Sequence, residues 1–209
     1  MKYFDELMER HPVLKSCSDD ILKGYAMLEQ CYAEGGKLLV AGNGGSAADA
    51  EHIVGELMKG FCLPRKIPSA MAEALREIDS TYGNELAQKL QGALPAIALT
   101  NHNALNTAYL NDVDGLLCYA QQVMGYGKAG DVFLGITTSG NSQNVLYAAI
   151  TAKAKGLKVI GMTGESGGLL VKYADVCVRV NEKETYKVQE LHLPIYHCLC
   201  LMLEEMFFS

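Results

Sequence analysis

Two rhythms of apolar and polar residues alternate along the chain. Short runs with few charges, at 37–41, 95–100, 131–137, 158–163 and 175–180, read as buried strands. Between them, 47–59, 141–155 and 168–174 carry helical spacing or follow helix-start residues. Helical stretches at about 2–10 and 18–34 precede the first strand, and one at about 185–207 closes the chain. Strand–helix–strand alternation predicts a parallel sheet with helices on both faces, an α/β fold forming a single domain over 1–209.

Two stretches depart from that alternation. Within 63–93, Met71, Leu75, Ile78, Tyr82, Leu86 and Leu90 recur every three or four residues. That spacing predicts an amphipathic helix inserted into the domain and laid over something, either as a lid or as a partner contact. From Leu191 to Met206 the last helix is apolar nearly all round, more than covering one sheet face requires. Burial between subunits is the simplest account, so an oligomer is expected. Pro194 lies inside this helix and predicts a bend or a late start.

Composition narrows the class. A chain of 209 residues, 49% hydrophobic and 20% charged, can bury a sizeable core. A net charge of −6 with scattered Lys and Arg argues against a nucleic-acid partner, because nothing concentrates positive charge for a phosphate backbone. Seven cysteines without a C-x-x-C pair read as reduced, mostly buried thiols. The first residues do not resemble a signal peptide, and no uninterrupted run of 18 apolar residues exists. The expectation is a cytoplasmic protein with no membrane partner.

Four groups of residues carry candidate chemistry. Ala41-Gly42-Asn43-Gly44-Gly45-Ser46-Ala47 follows a strand and opens a helix, so its backbone N–H groups can face an anion. It also fits a loose dinucleotide fingerprint, but the second strand ends without the acidic residue that would hold a ribose. A purely structural turn would need the glycines but not Asn43 and Ser46. Thr137-Thr138-Ser139-Gly140-Asn141-Ser142 makes a second cradle at a strand end. Such a turn alone is commonly an N-cap, yet two cradles at the carboxyl ends of parallel strands mark a ligand site. Neither contains Lys or Arg, which suits one monophosphate with sugar hydroxyls. His52 and Glu56 are four residues apart on one helix face, as a surface pair or as something more. In Gln189-Glu190-Leu191-His192-Leu193-Pro194-Ile195-Tyr196-His197, His197 sits in an apolar stretch and needs a partner, as a core histidine or as a functional one. Gln189 and His197 lie about 12 Å apart along a straight helix, so they meet at one point only from two copies of it.

Taken together, the run from Gly42 to His52 with Glu56 beyond it, the 137–142 turn, and Gln189-Glu190-Leu191-His192 followed by His197 resemble the sugar isomerase (SIS) domain. Within it they resemble the phosphoheptose isomerases, which interconvert sedoheptulose 7-phosphate and D-glycero-D-manno-heptose 7-phosphate. The resemblance covers nearly the whole chain apart from 63–93. It implies a five-stranded parallel sheet and a homotetramer with active sites shared between subunits. Substrate contacts are implied at Asn43, Gly44, Gly45, Ser46, Glu56, Asn111, Asp112, Thr137, Thr138, Ser139, Ser142 and Gln189. Zinc (Zn2+) ligands are implied at His52, Glu56, Gln189 and His197, with Glu56 the catalytic base and His197 the acid. Aldose–ketose isomerisation through an enediol needs such a pair, each contributing roughly 10²–10⁴-fold. Tyr186-Lys187 departs from the small residue and Arg that the resemblance implies at that place. Two other readings stand beside the isomerase: a non-catalytic regulator that binds a replication-initiation protein, and a sugar-phosphate sensor without turnover.

Overall fold

The computed structural model describes residues 1–209. Five strands, β1 (Leu38–Ala41), β2 (Ala96–Ala98), β3 (Val132–Ile136), β4 (Lys158–Thr163) and β5 (Val176–Arg179), form one parallel sheet in the order β2-β1-β3-β4-β5. Leu38 pairs with Ala96 on one side and Val132 on the other; Val132 pairs in turn with Lys158, and Ile160 with Val176. Each expected strand is present, its ends within two residues of the apolar run that predicted it.

Nine helices surround the sheet: α1 (Lys2–Arg10), α2 (Ser18–Ala33), α3 (Gly45–Met58), α4 (Ser69–Ile78), α5 (Tyr82–Lys89), α6 (Asn103–Asp112), α7 (Cys118–Tyr126), α8 (Gln143–Ala154) and α9 (Thr185–Phe208). Successive strand residues face opposite sides, and this divides the core in two. Leu38, Val40, Val132, Leu134, Ile136, Ile160 and Met162 pack with residues of α1, α2, α3 and α9. Leu39, Ala41, Phe133 and Val159 pack with residues of α7 and α8. Strands buried on both faces explain why the sequence runs are continuously apolar rather than alternating.

Three features differ from the sequence expectation. Residues 168–172 form a short 3₁₀ turn instead of an α-helix, because Gly167 and Gly168 both adopt positive φ (69° and 53°). The 63–93 stretch holds two helices, not one. The Asp79 carboxylate accepts hydrogen bonds from the Thr81 and Tyr82 backbone N–H groups at 2.8 and 2.7 Å, starting α5 afresh. These two helices pack on each other and leave Met71, Ile78, Tyr82, Leu86 and Leu90 exposed. Helices α6 and α7 have no counterpart in the sequence reading. Helix α9 runs over Thr185–Phe208, as the sequence predicts, with Pro194 inside it.

The segment leading into α4 and α5 is held by a buried ion pair. Glu204 on α9 accepts from the N–H groups of Phe61, Cys62 and Leu63 and from Arg65 Nε, at 2.7, 2.7, 3.1 and 2.8 Å. Arg65 also donates to the Leu57 and Glu56 carbonyls that end α3, at 2.7 and 2.9 Å. By length and composition α9 could cross a bilayer, but half of its most apolar window is already buried within the single chain. All seven cysteines are free, with Cys62 exposed and Cys177 half-buried.

Candidate active site

Strands β1 and β3 are neighbours although the chain visits β2 between them, so the turns that follow them meet at the point where strand order reverses. Open parallel sheets bind ligands there. In the first turn Gly44 takes φ 57° and α3 begins, with Ser46 N–H donating to the Asn43 carbonyl at 3.1 Å. The Tyr119 hydroxyl donates to the Gly42 carbonyl at 2.7 Å and fixes the turn from the α7 side. A Cβ on Gly45 would lie 2.7 Å from Gln189 Nε2, so the Gln189 carboxamide rests directly on the glycine.

The second turn leads into α8. Its Thr137 and Ser142 hydroxyls are 2.8 Å apart, and Asn141 N–H donates to Ser139 Oγ at 3.2 Å. Thr138 is half-buried and Ser139 exposed. Reciprocal hydrogen bonds between the Asn43 and Asn144 carboxamides, 2.9 and 2.8 Å, clasp the two turns together. Backbone donors at the start of α3 and α8 give both turns the positive end of a helix dipole.

Helices α3 and α9 run side by side in the same direction, with Gly45 against Gln189 at one end and His52 against Tyr196 and His197 further along. His52 Nε2 lies 3.2 Å from Glu56 Oε1, and Lys59 Nζ lies 3.1 Å from Glu56 Oε2. The His52 and His197 rings stand nearly perpendicular at 4.9 Å, and Phe61 closes on His197 at 5.5 Å. His197 Nε2 is buried and has no hydrogen-bond partner. Burial, then the neighbouring His52, holds the His197 pKa below its ordinary value, against a smaller opposing pull from Glu56. Behind His197, a cavity of about 280 Å³ opens between α1 and α9, lined among others by Tyr3, Arg10 and Glu190.

Beneath His52 lies a pair that sequence reading did not single out. The Tyr196 hydroxyl donates to Asp49 Oδ1 at 3.2 Å, and His52 Nδ1 is 3.0 Å from the Tyr196 oxygen. Burial raises the pKa of both Tyr196 and Asp49. Asp49 precedes His52 by three residues, one helical turn, and that spacing was the available signal.

The single chain thus gathers His52, Glu56 and His197, and sets the 43–46 and 137–142 turns beside each other. Gln189 stays with Gly45, two turns of helix from His197. Asn111 and Asp112 end α6, exposed; Asn111 Nδ2 donates to Asp112 Oδ1 at 2.8 Å, and neither residue bonds to a turn. His52, Glu56 and His197 offer two imidazole nitrogens and a carboxylate oxygen, donor types that zinc takes. The unpartnered His197 Nε2 is a place such an ion would satisfy. No three His, Cys, Asp or Glu residues of one chain close into a ready metal cluster, so the donor set in a single copy is incomplete.

The fold and its two turns define a SIS domain, whose family profile matches residues 2–87 and, overlapping these, 69–164. The chain belongs to the phosphoheptose isomerase family of SIS-domain proteins. It is 37% identical over 179 residues to the phosphoheptose isomerase of Aneurinibacillus thermoaerophilus, covering 86% of this chain and 77% of the relative. It is 36% identical over 209 residues to phosphoheptose isomerase 2 of Campylobacter jejuni, covering 99% and 91%. Among solved structures, a phosphoheptose isomerase from Francisella tularensis superposes with a TM-score of 0.77 at 31% identity, covering 98% of this chain and 95% of that one. One from Neisseria gonorrhoeae gives 0.73 at 30%, covering 97% and 96%.

Proposed function

We propose that this chain is a cytoplasmic sugar-phosphate isomerase that interconverts sedoheptulose 7-phosphate and D-glycero-D-manno-heptose 7-phosphate, working as a homotetramer with zinc. The observation that carries this reading is the meeting of His52, Glu56 and His197 beside two clasped anion-binding turns. Thr137, Thr138, Ser139 and Ser142 hold the phosphate. Asn43, Gly44, Gly45, Ser46 and Gln189 hold the sugar hydroxyls, and Asn111 and Asp112 complete the sugar end.

Glu56 takes the proton from C1 of the ketose while His197 gives one to the C2 oxygen, which leaves an enediol. Glu56 then returns its proton to C2, and His197 recovers one from the C1 hydroxyl, so no proton is gained or lost overall. A depressed pKa keeps His197 neutral, with an N–H to give. Zinc held by His52, Glu56 and His197, with Gln189 from a second copy, would polarise the substrate oxygens. A regulator or a sensor without turnover has no use for a carboxylate and two imidazoles drawn together, which argues for the enzyme.

The test is proton exchange followed by NMR. Protein with and without added zinc is incubated with sedoheptulose 7-phosphate in heavy water. Deuterium at C1 together with aldose signals is the expected result, and absence of exchange under both conditions would remove the heptose assignment. The same measurement on six-carbon ketose phosphates then decides between another isomerase and a binding protein.

A further inference from the structure

The proton transfers above leave Tyr196 and Asp49 without a task, although Tyr196 reaches His52 from beneath and Asp49 holds Tyr196. Tyr196 is 1% exposed, and its hydroxyl carries one proton. An ionised Asp49 only accepts, and that hydroxyl is its one donor; Asp49 Oδ2 is buried with no partner. Turning the Tyr196 proton toward His52 would strip the buried carboxylate of its last hydrogen bond and leave its charge uncompensated. The hydroxyl therefore points at Asp49 and presents its oxygen, 3.0 Å away, to His52 Nδ1. Only a protonated Nδ1 can fill that contact.

The consequence appears on the other side of the ring. A neutral imidazole with its hydrogen on Nδ1 has a bare lone pair on Nε2. That nitrogen faces Glu56 Oε1 at 3.2 Å, another acceptor. Two acceptors held face to face repel unless a cation lies within reach of both. Alone, the His52–Glu56 pair would favour a hydrogen on Nε2, and the fold places Tyr196 and Asp49 to forbid it.

We propose that Tyr196 and Asp49 are positioning residues that fix His52 as its Nδ1–H tautomer, holding the Nε2 lone pair ready for a divalent metal ion shared with Glu56. This rests on the reading of His52 and Glu56 as zinc ligands. It adds to that reading the origin of the ring's orientation and names residues outside the ligand set. Hydrogen-bonded partners behind a ligating imidazole raise metal affinity by about 10–100-fold.

The experiment measures the tautomer apart from the metal. Zinc-free protein labelled with ¹⁵N in its imidazoles is studied by long-range ¹H–¹⁵N NMR at pH 8; with five histidines in the chain, the Gln variant H52Q identifies the signal. Wild type is expected to show His52 protonated on Nδ1 alone. Tyr196→Phe removes the acceptor, and Asp49→Ala frees the tyrosine proton to turn toward Nδ1, so both should switch His52 to Nε2–H. Zinc titration should then show binding weakened about 10–100-fold in both variants. An Nε2–H or doubly protonated His52 in wild type, or a tautomer that neither variant changes, overturns the proposal. A tautomer that switches while zinc affinity stays unchanged refutes its metal role. Wild type that binds no zinc would sink the zinc reading itself, while the NMR would still decide whether the relay exists. Melting temperatures of both variants separate these outcomes from general loss of fold.

Discussion

Glu204 is the residue whose loss should do most harm away from the site. Its carboxylate is 1% exposed and accepts four hydrogen bonds, from Phe61 N–H and Arg65 Nε on one oxygen and from Cys62 and Leu63 N–H on the other. Burial alone would raise its pKa, but these donors overcome it and hold the group below its ordinary value. Glu204→Gln keeps the shape and turns one oxygen into an N–H₂ that faces donors. It also leaves the Arg65 guanidinium, likewise buried, without a counter-charge. Removing one partner of a buried pair costs about 3–5 kcal/mol. For a chain of this length each kcal/mol moves Tm by about 2–4 °C, so a fall of roughly 6–20 °C is expected. Differential scanning fluorimetry at fixed protein concentration reads it directly. The double variant with Arg65→Met should lose less than the sum of the single losses, because it strands no charge. A fall below about 2 °C, or strict additivity, would refute the assignment of Arg65 and Glu204 as the pair that holds the Phe61–Arg65 segment.

Three further outcomes are expected. Glu56→Gln should reduce turnover by roughly 10²–10⁴-fold while Tm and assembly, followed by fluorimetry and size-exclusion chromatography, stay as in wild type. Gly45→Ala places a methyl group 2.7 Å from Gln189 Nε2, and displacing that carboxamide should raise KM for the sugar phosphate about five- to tenfold with little change in stability. Burial pushes His192 down to about 4 from an ordinary 6.5, with only the Thr163 carbonyl near Nε2 to favour its proton. Unfolded chains then bind that proton first, so stability is full above pH 6.5 and declines as pH falls toward 4. Over that window the loss reaches about 3 kcal/mol. Urea midpoints from pH 7.5 down to 4.5 measure it, and His192→Gln should flatten the curve; an equally steep curve would contradict a neutral buried imidazole.

Where burial was complete, the sequence was easy to read. The three central strands, β1, β3 and β4, lie with both faces covered, so their apolar runs stand out, and the glycines and hydroxyls after β1 and β3 mark the turns. Helix α6 left no such trace: it has no buried residue, and Asn103, Asn106, Thr107 and Asn111 are poor helix formers. Helix α7 buries Gln122 beside Tyr119 and Val123, and a buried glutamine breaks the apolar stripe a reader looks for. In the 63–93 stretch the helical spacing was genuine, but the Asp79 cap divides it, which the apolar positions alone do not reveal. His52, Glu56 and His197 were legible through residue type and resemblance. Tyr196 was not, because a tyrosine on a greasy helix looks like packing until its hydroxyl is seen against Asp49. The 12 Å between Gln189 and His197 on one helix holds in the fold, since each meets a different part of α3.

That parallel lie of α3 and α9 makes α3 a ruler. Gly45 marks one end, at the ligand turn, and His52 the other, seven residues or about 10 Å along the axis at 1.5 Å per residue. A ruler of this kind has coarse gradations. Adding or deleting one residue would shift the far mark by 1.5 Å and also swing it about 100° around the axis, off the face that meets α9. The distance between the Gly45 turn and the His52 face therefore cannot be trimmed within the helix. A change of substrate length has to be accommodated in the turns at its near end or in the Phe61–Arg65 segment at its far end.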